Sequence, residues 1–129
     1  MTQNPRPFSL ARMFSADLGV DLGSENVRVF SHRTGEIFSE PSVVARDRRT
    51  DQARAIGREA EAMTARMPES IVLVRPVRDG AIADFEAAEA LLRAMVRRAR
   101  NRLAFRRPRM VLSVPCELTQ VESRALIQA

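Results

Sequence analysis

Apolar residues recur at every second position from Leu18 to Leu22, and again at Val27 and Val29, with the polar stretch Gly23 to Asn26 between them. A period of two turns one face of each run toward a core. Residues 17 to 31 therefore read as two strands joined by a tight turn. "RTG" (33–35) marks a second turn and "EIFSE" (36–40) a third strand, which completes an antiparallel meander. "PSVVAR" (41–46) is a further strand, and the charged stretch 46 to 54 reads as a loop. Ile56, Ala60, Met63 and Met67 fall at helical spacing and predict a short helix that stops at Pro68, with the two methionines in the core. "IVLV" (71–74) reads as a fully apolar strand. Asp84 caps the longest helix, whose buried stripe is Phe85, Ala88, Leu92, Met95, Ala99 and Leu103. "MVLSV" (110–114) reads as a buried strand stopped by Pro115. "TQVE" (119–122) is a capping box that opens a last helix, with Thr119 as N-cap and Glu122 three residues on.

The chain has 129 residues, 45% apolar and 29% charged, a globular balance sized for one modest core. No apolar run reaches the ~18 residues of a membrane span, and the N-terminus has no apolar signal region. Cys116 is the single cysteine, which excludes an internal disulfide and fits a reducing cytoplasm. It reads as a small packed hydrophobe rather than a nucleophile. His32 is the single histidine and forms no metal constellation with it. Asp79 reads as a turn acid before Gly80.

Charge is uneven. The net value is +5, yet residues 93 to 109 hold eight arginines and no acid, so the remainder sums to −3. All 21 basic residues are arginine; a GC-rich genome accounts for this more simply than selection for arginine. A local basic patch points to an anionic partner, lipid head groups or nucleic acid. Arg93, Arg97 and Arg100 share a helical face that could track phosphates. No helix-turn-helix or zinc pattern accompanies it, and tyrosine and tryptophan are absent as stacking platforms. Nucleic acid is therefore disfavoured.

The turn "DLGSEN" (21–26) is the candidate chemistry. Successive N–H groups in a tight turn form an anion-binding nest, glycine admits close backbone approach, and a hydroxyl adds a donor. A plain hairpin with a polar turn satisfies the same residues.

Four segments, "MFSADLGVDLGSENV", "EPSVVA", "RPVRDGAIADF" and "SVPCELTQVESRALI", resemble in order segments of the bacterial actin homologue MreB and its paralogues. The resemblance runs from about Met13 to the last residue and covers a little more than the first third of the family's length. It implies an α/β fold: a partial actin-like, ribonuclease H-like ATPase domain truncated after its second main helix. Residues 1–16 would be an amphipathic lead-in, 17–40 and 79–129 the partial core, and 41–78 a small inserted subdomain.

By the same resemblance, Asp21 would lie near the nucleotide's Mg²⁺ through water, and Gly23, Ser24, Glu25 and Asn26 would form the first phosphate loop. Glu25 departs from the small residue usual there. One like-charge contact at ~4 Å and an effective dielectric of ~20 costs about 4 kcal/mol; rotation into solvent, a bridging cation or Arg28 would relieve it. The family's catalytic Glu, second phosphate loop and adenosine pocket match nothing in this sequence. Little or no ATP hydrolysis by this chain alone is expected, with ATP and Mg²⁺ as the implied ligands and no catalytic residue assigned.

The resemblance also implies a membrane contact. "RARNRLAFRRPR" (98–109) sets Leu103 and Phe105 among six arginines, where the family has an apolar loop that enters the inner leaflet. "PFSLARMFS" (7–15) offers Met13 and Phe14, with Phe8 and Leu10. Each buried apolar side chain would contribute ~1.5–3 kcal/mol and each nearby arginine ~1 kcal/mol on anionic lipid. Inward packing of Leu103 and Phe105 beside a solvated helix end is the alternative. The resulting expectation is a short MreB-like cytoskeletal protein of cell shape or wall morphogenesis. It would be cytoplasmic, peripheral to the inner membrane face, and partnered by full-length MreB-like filaments or by itself. Half of a split ATPase completed by another chain, or a non-functional truncated fragment, are the alternatives.

Overall fold

The computed structural model describes residues 17–31, 37–103, 109–113 and 118–128. The first alternating stretch forms β1 (Asp17–Leu22) and β2 (Asn26–Ser31), antiparallel, with β3 (Ile37–Pro41) antiparallel to β2. Leu18, Val20, Leu22, Val27 and Val29 all face the core, as their period requires. Phe38 and Glu40 lie opposite Val29 and Val27, on that same face.

The chain then leaves this sheet to build a second one. It contains β4 (Val44–Asp47) between β5 (Ala53–Ile56) and β6 (Ile71–Val74), all antiparallel. Between β5 and β6 run α1 (Arg58–Ala62) and a 3₁₀ turn, Met63–Arg66. Three expectations are corrected here. The charged stretch 46–54 is not all loop, because β4 runs to Asp47 and β5 starts at Ala53. Ile56 belongs to β5 rather than to a helix, since Gly57, at φ +66°, breaks the chain before α1. Met67 is 42% exposed after the 3₁₀ turn, so only Met63 packs on the small core of Val43, Ala45, Ala60 and Ile71.

β7 (Val77–Arg78) and β8 (Ala81–Ile82) form a hairpin turned by Asp79 and Gly80, both at positive φ. Asp-Gly between apolar pairs is the signature of a two-residue hairpin turn. The sequence reading recognised the turn and not the strands, because each is two residues long.

Asp84 caps α2 (Phe85–Leu103): its Oδ1 accepts the Ala87 N–H at 2.9 Å. The stripe buried by α2 is wider than predicted and includes Ala87 and Leu91 beside Ala88, Leu92, Met95 and Ala99. It covers one face of the first sheet. β9 (Arg109–Ser113) then adds parallel to β1, giving the strand order β3-β2-β1-β9. Met110 and Leu112 join the core while Val111 is 77% exposed, so this strand is half-buried rather than fully buried. α3 (Gln120–Gln128) brings Leu126 into the same cluster. Thr119 precedes it and accepts the Ser123 N–H through its carbonyl. Cys116 and His32 lie outside the described residues.

Candidate functional site: a braced anion turn

The β1–β2 turn is held from several sides. The Gly23 N–H donates to the Asn26 carbonyl at 3.1 Å. A Cβ at position 23 would meet that oxygen at 2.8 Å, so the turn requires glycine for its close approach. Ser42, fully buried, donates its N–H to the Glu25 carbonyl at 2.8 Å and its hydroxyl to the Gly23 carbonyl at 2.7 Å. The Gly80 N–H donates to Ser24 Oγ at 3.4 Å, which ties the β7–β8 hairpin to the turn. With both carbonyls so engaged, the turn's shape is set by the fold itself.

Asp21 is exposed on the sheet face opposite the core, directly across from Arg28 and beside Ser113 of β9. Among the described residues no three His, Cys, Asp or Glu side chains cluster around a possible metal position. A lone carboxylate suits Mg²⁺, which keeps most of its water and takes one or two carboxylates together with ligand phosphates. Glu25 is turned outward, 81% exposed on its side chain, with Oε2 3.5 Å from Arg75 Nη1.

The structure thus brings Asp21, Gly23, Ser24, Glu25 and Asn26 to one end of the β1–β2 pair. Sequence reasoning missed Ser42, Arg75 and Gly80 as supports. "EPSVVA" and "RPVRDGAIADF" contain them, but their contacts span 17 to 56 residues. Of the proposed membrane residues, Met13, Phe14 and Phe105 lie outside the described residues, as does the side chain of Leu103. On α2, Arg93, Arg97 and Arg100 are exposed, with Arg93 paired to Glu89 one turn back. No helix among the described residues is long and apolar enough to cross a membrane.

The family model of the MreB/Mbl protein matches residues 15–129. The chain belongs to the MreB/Mbl family. Relatives include the cell shape-determining protein Mbl of Bacillus cereus, 42% identical over 117 residues, which span 91% of this chain and 35% of that protein. The cell shape-determining protein MreB of Haemophilus influenzae is 41% identical over 119 residues, 88% of this chain and 34% of its own length. Among solved structures, MreB5 of Spiroplasma citri bound to ADP superposes with a TM-score of 0.69 at 30% identity, over 88% of this chain and 34% of that one. The MamK double helical filament gives 0.64 at 25% identity, over 88% of this chain and 37% of that one. The fold is therefore actin-like, and this MreB/Mbl chain spans about a third of the length of the relatives it matches.

Proposed function

We propose that the chain is an MreB-like bacterial cytoskeletal protein of cell shape or cell-wall morphogenesis that retains the first phosphate-binding turn of its family. The observation that carries this reading is the turn itself. Its glycine is required by a 2.8 Å approach, the carbonyls of Gly23 and Glu25 accept from Ser42 and that of Asn26 from the Gly23 N–H, and it sits within a family match over residues 15–129. Relatives with this fold have been solved with ADP and with AMPPNP, which supports ATP phosphates as the ligand here. Gly23, Ser24, Glu25 and Asn26 would surround the phosphates, and Asp21 would orient a water of the Mg²⁺ that screens their charge. Hydrolysis is not part of the proposal, because no catalytic residue is assigned.

The same reading makes filaments of MreB-like proteins, or of this chain itself, the partners, by analogy with the filament of MamK. It sets the protein in the cytoplasm against the inner membrane face, with Met13, Phe14, Leu103 and Phe105 as the apolar contacts and the arginines of residues 93–109 facing anionic lipid.

Calorimetry with Mg²⁺-ATP tests the nucleotide part. Saturable binding that Gly23→Ala abolishes is expected; unaltered binding by that variant would move the site elsewhere. Co-sedimentation with phosphatidylglycerol vesicles tests the membrane part. Loss of binding on joint Leu103→Glu and Phe105→Glu substitution is expected, and unchanged sedimentation would refute it.

A further inference from the structure

Glu25 sets a negative charge inside a turn read as a phosphate cradle, and its backbone cannot move aside. Its carbonyl is held by the Ser42 N–H at 2.8 Å, and the residues flanking it are closed by the Gly23–Asn26 hydrogen bond. Only the side chain is free to turn, and it turns to Arg75. Arg75 is itself well anchored. It stands between β6 of the second sheet and the β7–β8 hairpin, and the next residue, Pro76, is fully buried, with its carbonyl accepting the N–H groups of Ala83 and Asp84. Among the described residues Arg75 has no other carboxylate partner within ion-pair distance.

We propose that Arg75 is a positioning residue for the anion turn. It draws the Glu25 carboxylate outward and neutralises it, so that the Glu25–Arg75 pair, rather than the turn alone, sets how tightly phosphates are held. This rests on the reading of the turn as a phosphate site and adds the control of that site. The pair is solvent-exposed, with side chains 81% and 44% accessible, so its contribution to folding is small. Its effect on a multiply charged ligand is larger, because every phosphate charge feels Glu25.

The test is a double-mutant cycle on the full chain, titrating Mg²⁺-ATP by calorimetry at low salt. Glu25→Gln should tighten binding by roughly three- to tenfold and Arg75→Ala should weaken it by a similar factor. In the Glu25→Gln background, Arg75→Ala should change affinity by less than about twofold, since its target is gone. Arg75→Lys should restore most of the loss, and ~0.5 M salt should compress all differences. Melting temperatures should stay level across the set, which excludes a merely structural role. Equal losses from Arg75→Ala in both backgrounds would mean that Arg75 touches the phosphate itself and would overturn the proposal. Equal affinity of all variants would overturn it too, with the phosphate site surviving. Absence of binding by every variant at millimolar ATP would overturn both the proposal and the reading beneath it.

Discussion

The two sheets are held by different forces. The first, β3-β2-β1-β9, rests on one continuous apolar cluster that runs from Leu18 through Leu91 and Leu92 to Leu126. The second, β5-β4-β6, sends Val44 into that cluster with Ile56 and Val74 against it, and shares with α1 a small core of its own, Val43, Ala45, Ala60 and Ile71. Around it stand charged brackets. Arg46 reaches Asp51 at 3.1 Å and Asp84, the α2 cap, at 2.8 Å. Asp47 pairs with Arg54 at 2.9 Å. Glu40, buried at the edge of the first sheet's core face, accepts the Arg58 N–H at 3.0 Å and pairs with Arg98 of α2. It thus supplies the N-terminal cap that Gly57 cannot give α1. The small sheet is joined to its neighbour by Val44, Ile56 and Val74 packing on the large cluster and by two polar links, Arg46 to Asp84 and Arg58 to Glu40. The β1–β2 turn is reached by Ser42, where the chain leaves the first sheet for the second, and by Arg75, where it leaves the second for the β7–β8 hairpin.

This contrast predicts a graded set of responses. Leu91→Ala, in the middle of the large cluster, should have the greatest effect, about 2–5 kcal/mol, read as a fall in the urea midpoint of the whole chain. A loss below ~1 kcal/mol would mean that α2 is not the lid of the first sheet. Glu40→Ala should follow at about 1–3 kcal/mol, since it strands the Arg58 N–H and the Arg98 guanidinium. Hydrogen exchange should localise the change to α1 and β3 and leave β1 protected; uniform loss would contradict the bracket assignment.

Acid comes next. The Arg54 guanidinium, then the N–H groups of Thr50 and Arg49, hold the Asp47 carboxyl at about 2, below its usual 3.8. A depressed folded value contributes stability that is fully present above pH 3.8 and is lost as pH falls toward 2. Asp47→Asn should flatten that part of the stability profile, whereas an unchanged slope would assign acid sensitivity elsewhere. The smallest effect is expected from 1 M salt, which should raise exchange in β4 and β5 while leaving β1 and β2 unaltered.

The same division governs what could be read from the sequence. The first sheet was legible because Leu18, Val20, Leu22, Val27 and Val29 report burial by simple alternation, and α2 because its stripe and its Asp84 cap are local. In the second sheet β4 and β6 were legible as "PSVVAR" and "IVLV", and β5 was not. β5 reads Ala-Arg-Ala-Ile, with Ile56 its single strong strand former, and its partner β4 ends in the buried acid Asp47. Burial of Glu40 was equally hidden, since its partners are 18 and 58 residues away. At the candidate site, the turn Gly23 to Asn26 was visible from glycine and turn chemistry, whereas the part given to Asp21 came from the family resemblance. The outward turn of Glu25 depended on Arg75, 50 residues on, and no local pattern announces such a pairing.

The most direct measurement is an NMR titration of the amide-labelled chain with Mg²⁺-ATP, following the N–H signals of Gly23, Ser24, Glu25 and Asn26. A braced phosphate turn predicts saturable shifts concentrated on these amides and on Gly80, with β4 and β5 still. Absence of shifts there at millimolar ATP, or shifts confined to the arginine face of α2, would contradict it.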